Sequence, residues 1–289
     1  TRKESSAASD VYKRQGYMIF ARDKGRMCNN MLQYGHVYAW AREHGRKSVS
    51  MRFCYKYPYF KICSSPKHNF FTYLVAKYGA KLGFMSVVTF DEESDDTAEK
   101  ERTMLSAANV VVEGWYVRYY DLFLKYKHDI IGLFSFKKNI RDKVLSYMAA
   151  TVPQDGLKLG LHIRRGDYKT WKGGMYYFDD ETYIAYIQKF AGQFAGRRID
   201  VCICGNDPLL DRQKYAGRLK GRINVHFPAG NPAEDLCMLS ECDYIMGAPS
   251  TFSLVASMYH DRPLMWIHDR DVPSELHFSH FDTLFKHIE

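Results

Sequence analysis

The chain has 289 residues, of which 46% are hydrophobic and 26% are charged, and this composition is ordinary for a globular protein that is long enough for two domains. A net charge of +8 favours an anionic partner. The basic residues are scattered and no nucleic-acid-binding signature is present, so nucleic acid is not the predicted partner.

Residues 1–15 are polar and aperiodic, and we predict that they form a disordered or foreign leader outside the fold. No stretch approaches the roughly 20 consecutive apolar residues of a membrane span, so no transmembrane segment is predicted. The seven cysteines lack paired spacing, which indicates reduced thiols in a cytoplasmic protein. No His or Cys pairs stand at zinc-binding spacing, and no metal site is predicted.

The first half of the chain mixes short apolar runs with helical spacing. Strands are predicted over residues 17–20, 48–55, 85–90 and 109–112, with an exposed acidic loop over 91–101. Helices are predicted after the first strand, where Met31, Tyr34, Tyr38 and Ala41 recur at helical spacing, and over parts of 119–136 and 137–156. The turn Pro153-Gln154-Asp155-Gly156 is the predicted boundary between an N-terminal domain, 16–152, and a C-terminal domain, 153–289.

In the second half, strands alternate regularly with helices. Strands are predicted over residues 157–163, 198–204, 222–227, 244–247 and 263–267, and helices over 183–190, 207–219, 235–240 and 251–260. Asp179 or Asp180 is placed to cap the first of these helices, and Asn231-Pro232-Ala233-Glu234 opens the third. This alternation predicts an α/β fold with parallel sheets, in which ligands bind at the carboxyl ends of the strands.

The strongest motif is His162-Ile163-Arg164-Arg165-Gly166-Asp167-Tyr168, which places two arginines directly after an apolar strand. Adjacent side chains diverge, so one guanidinium can clamp a phosphate bidentately while the other ties down the loop. Asp167 can either orient an arginine or accept a proton. A surface loop with an Arg-Asp salt bridge is the alternative interpretation.

Two further features lie two and three strand-helix units later. Thr251 and Ser253 open a helix after the fourth strand, and helix N-termini bind anions, although a simple capped helix has the same pattern. Glu234 and Asp235 lie in the first turn of their own helix, where carboxylates stabilise the helix dipole. Such a carboxylate could also accept hydrogen bonds from the N1-H and N2 amino edge of guanine, which would select GDP over UDP.

Four segments in order resemble the bacterial alpha-1,2-fucosyltransferases of glycosyltransferase family 11. They are the motif at 162–168 together with GRMCNNMLQY, EGWYVRYYDLFLKY and EDLCMLSECDYIMGAPSTFS, and the match spans most of residues 17–267. The family loop usually reads G-G-L-G-N-Q, whereas Arg26 and Cys28 replace glycines here and Asn30 replaces the glutamine.

The resemblance implies a GT-B-like fold with two Rossmann-like domains, the nucleotide site in the C-terminal domain and the acceptor on the N-terminal side. It implies GDP-fucose as donor, inversion at the fucose carbon, no cofactor or metal, and a glycan acceptor, predicted to end in galactose. The site residues that it implies are Arg164 on the diphosphate, Arg165 in support, Asp235 on guanine with His162 nearby, and Thr251 and Ser253 on phosphate.

Arg164 is the predicted catalytic residue for the leaving group, and Asp167 is the candidate base. The predicted location is the cytoplasm, with peripheral association at the inner face of a bacterial membrane as an option. Two other functions stay open at this point. One is a transferase that uses another nucleotide sugar, and the other is a non-catalytic module that binds glycans or polyanions.

Overall fold

The computed structural model describes residues 17–22, 24–93, 97–205 and 207–288. The chain divides into two compact units, with the division between Lys137 and Lys138. The predicted leader, 1–15, lies outside the described residues. Within the described ranges, no helix combines the length and the hydrophobicity that crossing a bilayer requires.

The first unit is a parallel four-stranded sheet with helices. Its strands are β1 (Met18–Arg22), β2 (Lys47–Ser50), β3 (Ser86–Thr89) and β4 (Asn109–Glu113), in the order β2-β1-β4-β3. Its helices are α1 (Met27–Glu43), α2 (Phe70–Lys81), α3 (Thr97–Ser106), α4 (Tyr120–Lys125) and α5 (Lys127–Leu133). All three strand pairings are parallel, as the alternation of strands and helices predicts.

The second unit has the same layered design with one more strand. Its strands are β5 (Leu157–His162), β6 (Ile199–Cys204), β7 (Ile223–His226), β8 (Tyr244–Gly247) and β9 (Leu264–Trp266), in the order β7-β6-β5-β8-β9. Its helices are α6 (Lys138–Thr151), α7 (Asp180–Gln193), α8 (Arg212–Arg218), α9 (Pro232–Glu241), α10 (Thr251–Tyr259) and α11 (Phe281–Leu284). Every strand pairing is again parallel.

The central strands β5 and β6 of the second unit are buried because helices cover both faces of its sheet. All six residues of β6 are buried, and Leu159 and Leu161 of β5 are fully enclosed with Phe190 of α7 in the same core cluster. The helix starts follow the predicted capping chemistry. The Asp179 side chain accepts the backbone N–H of Thr182, and Asn231 forms a capping box with Glu234.

The predicted fold class, α/β with parallel sheets, is confirmed, whereas the division between the units differs from the predicted one. It lies at 137/138 rather than 152/153, so α6 belongs to the second unit. The reason is packing. Nζ of Lys143 on α6 lies 2.8 Å from both carboxylate oxygens of Glu234 on α9, whereas the Pro153–Gly156 turn only joins α6 to β5.

Three local predictions in the first unit were also inaccurate. The strand predicted over 48–55 ends at Ser50 and gives way to a 3₁₀ turn, Arg52–Cys54. The loop predicted over 91–101 becomes α3 from Thr97 onward, while residues 94–96 lie outside the described ranges. The helix α2 was not predicted at all.

Candidate functional site

The His162 motif begins at the carboxyl end of the central strand of the second unit. His162 lies opposite Cys204 of β6 and Gly247 of β8. A Cβ at Gly247 would lie 2.4 Å from the carbonyl oxygen of His162, and one at Gly205, after β6, would lie 2.3 Å from that of Ile163. Glycine therefore stands at the end of β8 and directly after β6, because the backbone at the end of β5 leaves no room for a side chain there.

Arg165 is the buried arginine of the motif. Its Nε donates to the carbonyl of Phe178 at 2.9 Å, its Nη1 donates to Asp207 at 2.9 Å, and its Nη2 bonds Asp180 at the start of α7. Burial alone would lower the pKa of Arg165, but the two carboxylates outweigh burial and raise it. Arg165 is thus the residue that holds the loop to α7 and to the segment after β6.

Arg164 is the arginine with access to solvent. Its side chain is 22% exposed, against 8% for Arg165. Its Nε and Nη2 donate to the two carboxylate oxygens of Asp167 at 3.2 and 2.8 Å, and its guanidinium lies 4.6 Å from the centre of the Tyr168 ring. The planar fork therefore binds two oxygens of the Asp167 carboxylate, in the same bidentate geometry in which arginine binds two oxygens of a phosphate.

His162 connects the motif to the start of α10. Its Nδ1 lies 3.3 Å from the Ser250 hydroxyl, and its ring stacks on Phe252 with the ring centres 4.7 Å apart. Burial, and then the positive charge of Arg164, lower the pKa of His162 to about 3. The imidazole is therefore neutral at physiological pH, and it acts as a polar, uncharged group beside the loop.

The start of α10 lies directly against this loop. The Tyr168 hydroxyl donates to the carbonyl of Pro249, and the Ser250 side chain caps α10 by accepting the N–H of Ser253 at 3.2 Å. Thr251 at the first helical position is partly exposed. The arginine loop and this helix N-terminus are thus brought together, as the sequence predicted.

Ser253 has a different environment from Thr251. It is fully buried, and its hydroxyl accepts a hydrogen bond from Nε1 of Trp266 and donates one to the carbonyl of Ser250, both at 3.1 Å. Two protein partners already engage this oxygen. The contribution of Ser253 to an anion site is therefore through the helix turn that it stabilises.

Asp235 is in the first turn of α9 and lies beside the end of the neighbouring strand, β6. There its carboxylate accepts the backbone N–H of Gly205. Burial, and then the adjacent charge of Glu234, raise the pKa of Asp235 to about 7, while the bond from Gly205 lowers it. Asp235 lines a small cavity of about 50 Å³ with Tyr147 and Met238. It is thus a half-buried carboxylate that a pair of donors would readily stabilise.

A larger cavity of about 470 Å³ opens beside Asp235, at the carboxyl ends of β6 and β7. Its lining includes Lys143, Gly205, Asp207, Arg212, Asn231 and Glu234. Both cations and acceptors therefore surround a space at the strand ends, where α/β sheets bind their ligands.

Three residues that contribute here were not singled out from the sequence. Lys143 is on α6, which was assigned to the other domain, and its partner Glu234 is 91 residues away, so no local pattern predicts the contact. Asp207 was taken only as a helix start. Tyr168 was named only as part of the motif, and a tyrosine beside a buried strand end was the signal that its hydroxyl would need a partner.

No family model matches the chain. Among known proteins, the chain is 23% identical over 295 residues to the galactoside 2-alpha-L-fucosyltransferase Sec1 of Mus musculus, and the match covers 93% of this chain and 70% of that protein.

Solved structures give a fold likeness. A variant of FUT1 of Arabidopsis thaliana in complex with GDP matches with a TM-score of 0.61 and 12% identity, covering 95% of this chain and 77% of that one. The NodZ alpha-1,6-fucosyltransferase soaked with GDP-fucose matches with a TM-score of 0.57 and 13% identity, covering 91% and 99%. POFUT1 in complex with GDP-fucose matches with a TM-score of 0.53 and 12% identity, covering 86% and 95%.

These likenesses agree with the motifs read from the sequence, and each of them covers at least 86% of this chain. The resemblance to the fucosyltransferases that the motifs indicate is confirmed by these likenesses, and the solved fucosyltransferases share the GT-B-like α/β fold of this chain.

Proposed function

We propose that this chain transfers fucose from GDP-fucose to a hydroxyl group of a glycan, with inversion at the fucose carbon and in alpha-1,2 linkage. One observation carries the proposal. The solvent-accessible guanidinium of Arg164 follows the central strand of the second unit, and its loop is bonded through Tyr168 to Pro249 at the start of α10. An arginine fork beside a helix N-terminus is a site for a diphosphate.

In this proposal the diphosphate of the donor binds Arg164 and the first turn of α10, where Thr251 is partly exposed. Arg165 serves indirectly, because its guanidinium is occupied by Asp180, Asp207 and Phe178 and holds the loop in place. The likeness to proteins whose structures contain GDP or GDP-fucose supports this placement.

Asp235 is the proposed recognition residue for guanine. Its carboxylate already accepts one backbone N–H, and in the ionised form it has further lone pairs for the N1-H and N2 amino group of the base. Uracil presents only one such N–H donor on the corresponding edge. Asp235 therefore favours GDP over UDP. His162 is neutral and adds a polar contact on the side of β5 that faces β8.

The transfer is a single in-line displacement. An acceptor hydroxyl oxygen forms a bond to the anomeric carbon of fucose as the bond from that carbon to the diphosphate oxygen breaks, and the electron pair leaves with GDP. Arg164 stabilises the negative charge that develops on the leaving diphosphate, which is the largest contribution expected from this chain. No metal ion or cofactor is part of the proposed reaction.

Asp167 is the proposed base that takes the acceptor proton, and it is 45% exposed, so an acceptor can reach it. Its ion pair with Arg164 stabilises the charged carboxylate and makes it a poorer proton acceptor. Binding of the diphosphate to Arg164 would compete for the guanidinium and release Asp167 for this role. The acceptor is proposed to end in galactose and to bind on the side of the N-terminal domain, in the cytoplasm at the inner face of the membrane.

The proposal is tested with the purified chain by calorimetric titration of GDP and UDP and by release of GDP from GDP-fucose in the presence of a galactose-terminated oligosaccharide. GDP should bind and UDP should bind far more weakly, because UDP lacks the guanine edge. Arg164→Ala should abolish transfer and weaken GDP binding by about 1.5–3 kcal/mol, the worth of a hydrogen bond to a charged group.

Arg218→Ala is the matched control, because Arg218 also forms an exposed ion pair with a carboxylate, Glu181, in the second unit. It should retain full activity. Equal binding of GDP and UDP would point to another nucleotide sugar. Full activity in Arg164→Ala would reject the diphosphate clamp, and salt-sensitive glycan or polyanion binding without any release of GDP would indicate a non-catalytic binding module.

A further inference from the structure

The helix α2 presents an apolar stripe to solvent. Phe71, Val75, Tyr78 and Leu82 follow one another at helical spacing, and they are 74%, 42%, 48% and 64% exposed. The opposite side of the helix packs on the core of the first unit through the buried Ala76. The stripe is therefore the outward face of a helix that is already held on its other side.

The stripe belongs to a larger exposed apolar surface. Of the twelve large apolar side chains that are exposed among the described residues, eight lie between residues 55 and 87. Phe70 and Phe84 lie at either end of the stripe, 57% and 82% exposed. Scattered exposed apolar residues need no explanation, but a contiguous group of this kind marks an interaction surface.

The same segment carries the excess positive charge of the chain. Residues 44–90 contain eight Lys and Arg and no Asp or Glu. Removing those eight from the 41 Lys and Arg of the whole sequence leaves 33, which equals the number of Asp and Glu. The rest of the sequence is therefore formally neutral, and the net charge of +8 is that of this one segment.

A cationic cavity opens beside the stripe. It has a volume of about 520 Å³, and its lining includes Arg22, Arg52, Lys77, Lys81, Tyr55 and Tyr73. Lys77 and Lys81 are on α2 itself, so the cavity and the stripe share one helix. Arg22 is paired with Glu113 at 2.9 Å, and Lys77 and Lys81 of α2 add positive charge to the lining.

We propose that the basic aromatic face, defined as the stripe Phe71, Val75, Tyr78 and Leu82 with Lys77, Lys81 and the cavity beside them, binds the surface of an anionic lipid bilayer. The apolar side chains enter the zone between the headgroups and the acyl chains, and the cations lie at the level of the anionic headgroups. The proposal deepens the membrane location given above, but it does not depend on the transferase activity.

A second copy of the chain is the other candidate occupant, and the charges disfavour it. A two-fold dimer would place the same patch of both copies face to face. Lys77 and Lys81 would then approach their own copies, with no acidic residue between 44 and 90 to compensate them. An anionic bilayer offers both the apolar layer and the opposite charge.

The test is sedimentation of the full chain with phosphatidylcholine vesicles, with and without about one third phosphatidylglycerol. The chain should bind the anionic vesicles and not the neutral ones, and about 0.5 M salt should weaken binding. Phe71→Ser combined with Leu82→Ser should weaken binding at least about tenfold, and so should Lys77→Glu combined with Lys81→Glu. These side chains are exposed, so circular dichroism and the GDP affinity should not change.

Two control variants in the second unit match these changes. Leu209→Ser alters an apolar side chain that is 79% exposed, and Lys220→Glu reverses an exposed charge outside the face. Both should bind vesicles like the parent chain. The proposal is overturned if the parent chain ignores anionic vesicles, if the serine variant binds as well as the parent, or if the controls lose as much affinity. A parent dimer that the serine variant converts to a monomer would assign the face to a second copy instead.

Discussion

The two adjacent arginines of the motif should respond in opposite ways to the same substitution. Arg165→Ala should destabilise the second unit, whereas Arg164→Ala should leave stability nearly unchanged and weaken donor binding. The Arg165 side chain is 8% exposed, and its partners Asp180 and Asp207 are 12% and 8% exposed. The pair formed by Arg164 and Asp167 is more exposed on both sides, and such pairs contribute about 0–1 kcal/mol.

The magnitude for Arg165 follows from the carboxylates that it would leave behind. Breaking a buried ion pair by removing one partner costs about 3–5 kcal/mol. Asp180 would keep the hydroxyl of Tyr215 at 3.0 Å, and Asp207 would keep the backbone N–H of Leu209 at 2.9 Å. Because these bonds compensate part of the loss, we expect the lower end of the range, about 3 kcal/mol.

Equilibrium unfolding in urea measures the loss in the free energy of unfolding that Arg165→Ala causes. Hydrogen exchange of peptides from β5 and β6 assigns this loss to the second unit. The triple variant that combines Arg165→Met with Asp180→Asn and Asp207→Asn should recover most of the loss, because it leaves no uncompensated charge buried. The reasoning fails if Arg165→Ala lies within about 0.5 kcal/mol of the parent chain, the range of an ordinary surface substitution. It also fails if the triple variant is less stable than Arg165→Ala.

Three further changes have defined outcomes. GDP affinity should rise between pH 6 and 8, because the pKa of Asp235 is raised to about 7 and only the ionised carboxylate accepts hydrogen bonds from guanine. Asp235→Asn should bind GDP weakly and show only the pH dependence of GDP itself, because the pKa of His162 is lowered to about 3 and His162 does not titrate in this range. Calorimetry in matched buffers measures both affinities. Gly247→Ala should lower the thermal midpoint and the donor affinity together, because its Cβ would lie 2.4 Å from the His162 carbonyl oxygen. Unchanged thermal unfolding would contradict this close approach of the two strands. Ser253→Ala should lower the free energy of unfolding in urea by about 1–3 kcal/mol, because it leaves Nε1 of Trp266 unpaired, and GDP affinity should stay within about twofold of the parent. A selective loss of affinity would show that the hydroxyl contacts phosphate directly.

The sequence predicted the second unit well because its local signals agree with its packing. Apolar strands and capped helices alternate, and Asp179 and Asn231 cap helices in the structure as their positions predicted. The motif meets the start of α10 because β5 and β8 are parallel neighbours, a strand order that the sequence did not predict. The sequence predicted different roles for the two arginines, and the structure shows that Arg165 is buried and that Arg164 is partly exposed, while the diphosphate role of Arg164 stays a prediction.

The failures in the first unit have physical causes. The helix α2 buries only Ala76, so its periodic apolar residues face solvent and do not mark a core-facing side. The cap at Asn69, which accepts the N–H of Thr72 at 2.9 Å, was a local signal that could have found it. The unit boundary could not be found locally, because the contact between Lys143 and Glu234 joins distant parts of the sequence.

The loop from Gly166 to Tyr168 is tied at both ends before any nucleotide arrives, by Arg165 on one side and by the bond from Tyr168 to Pro249 on the other. A segment that is already ordered has little conformational entropy left to lose when a ligand binds. Donor preference can then be altered by changing the side chains that touch the nucleotide, with no need to redesign a moving element. In the proposed site, Asp235, which faces the base, is the position from which such a change in sugar-nucleotide use would start.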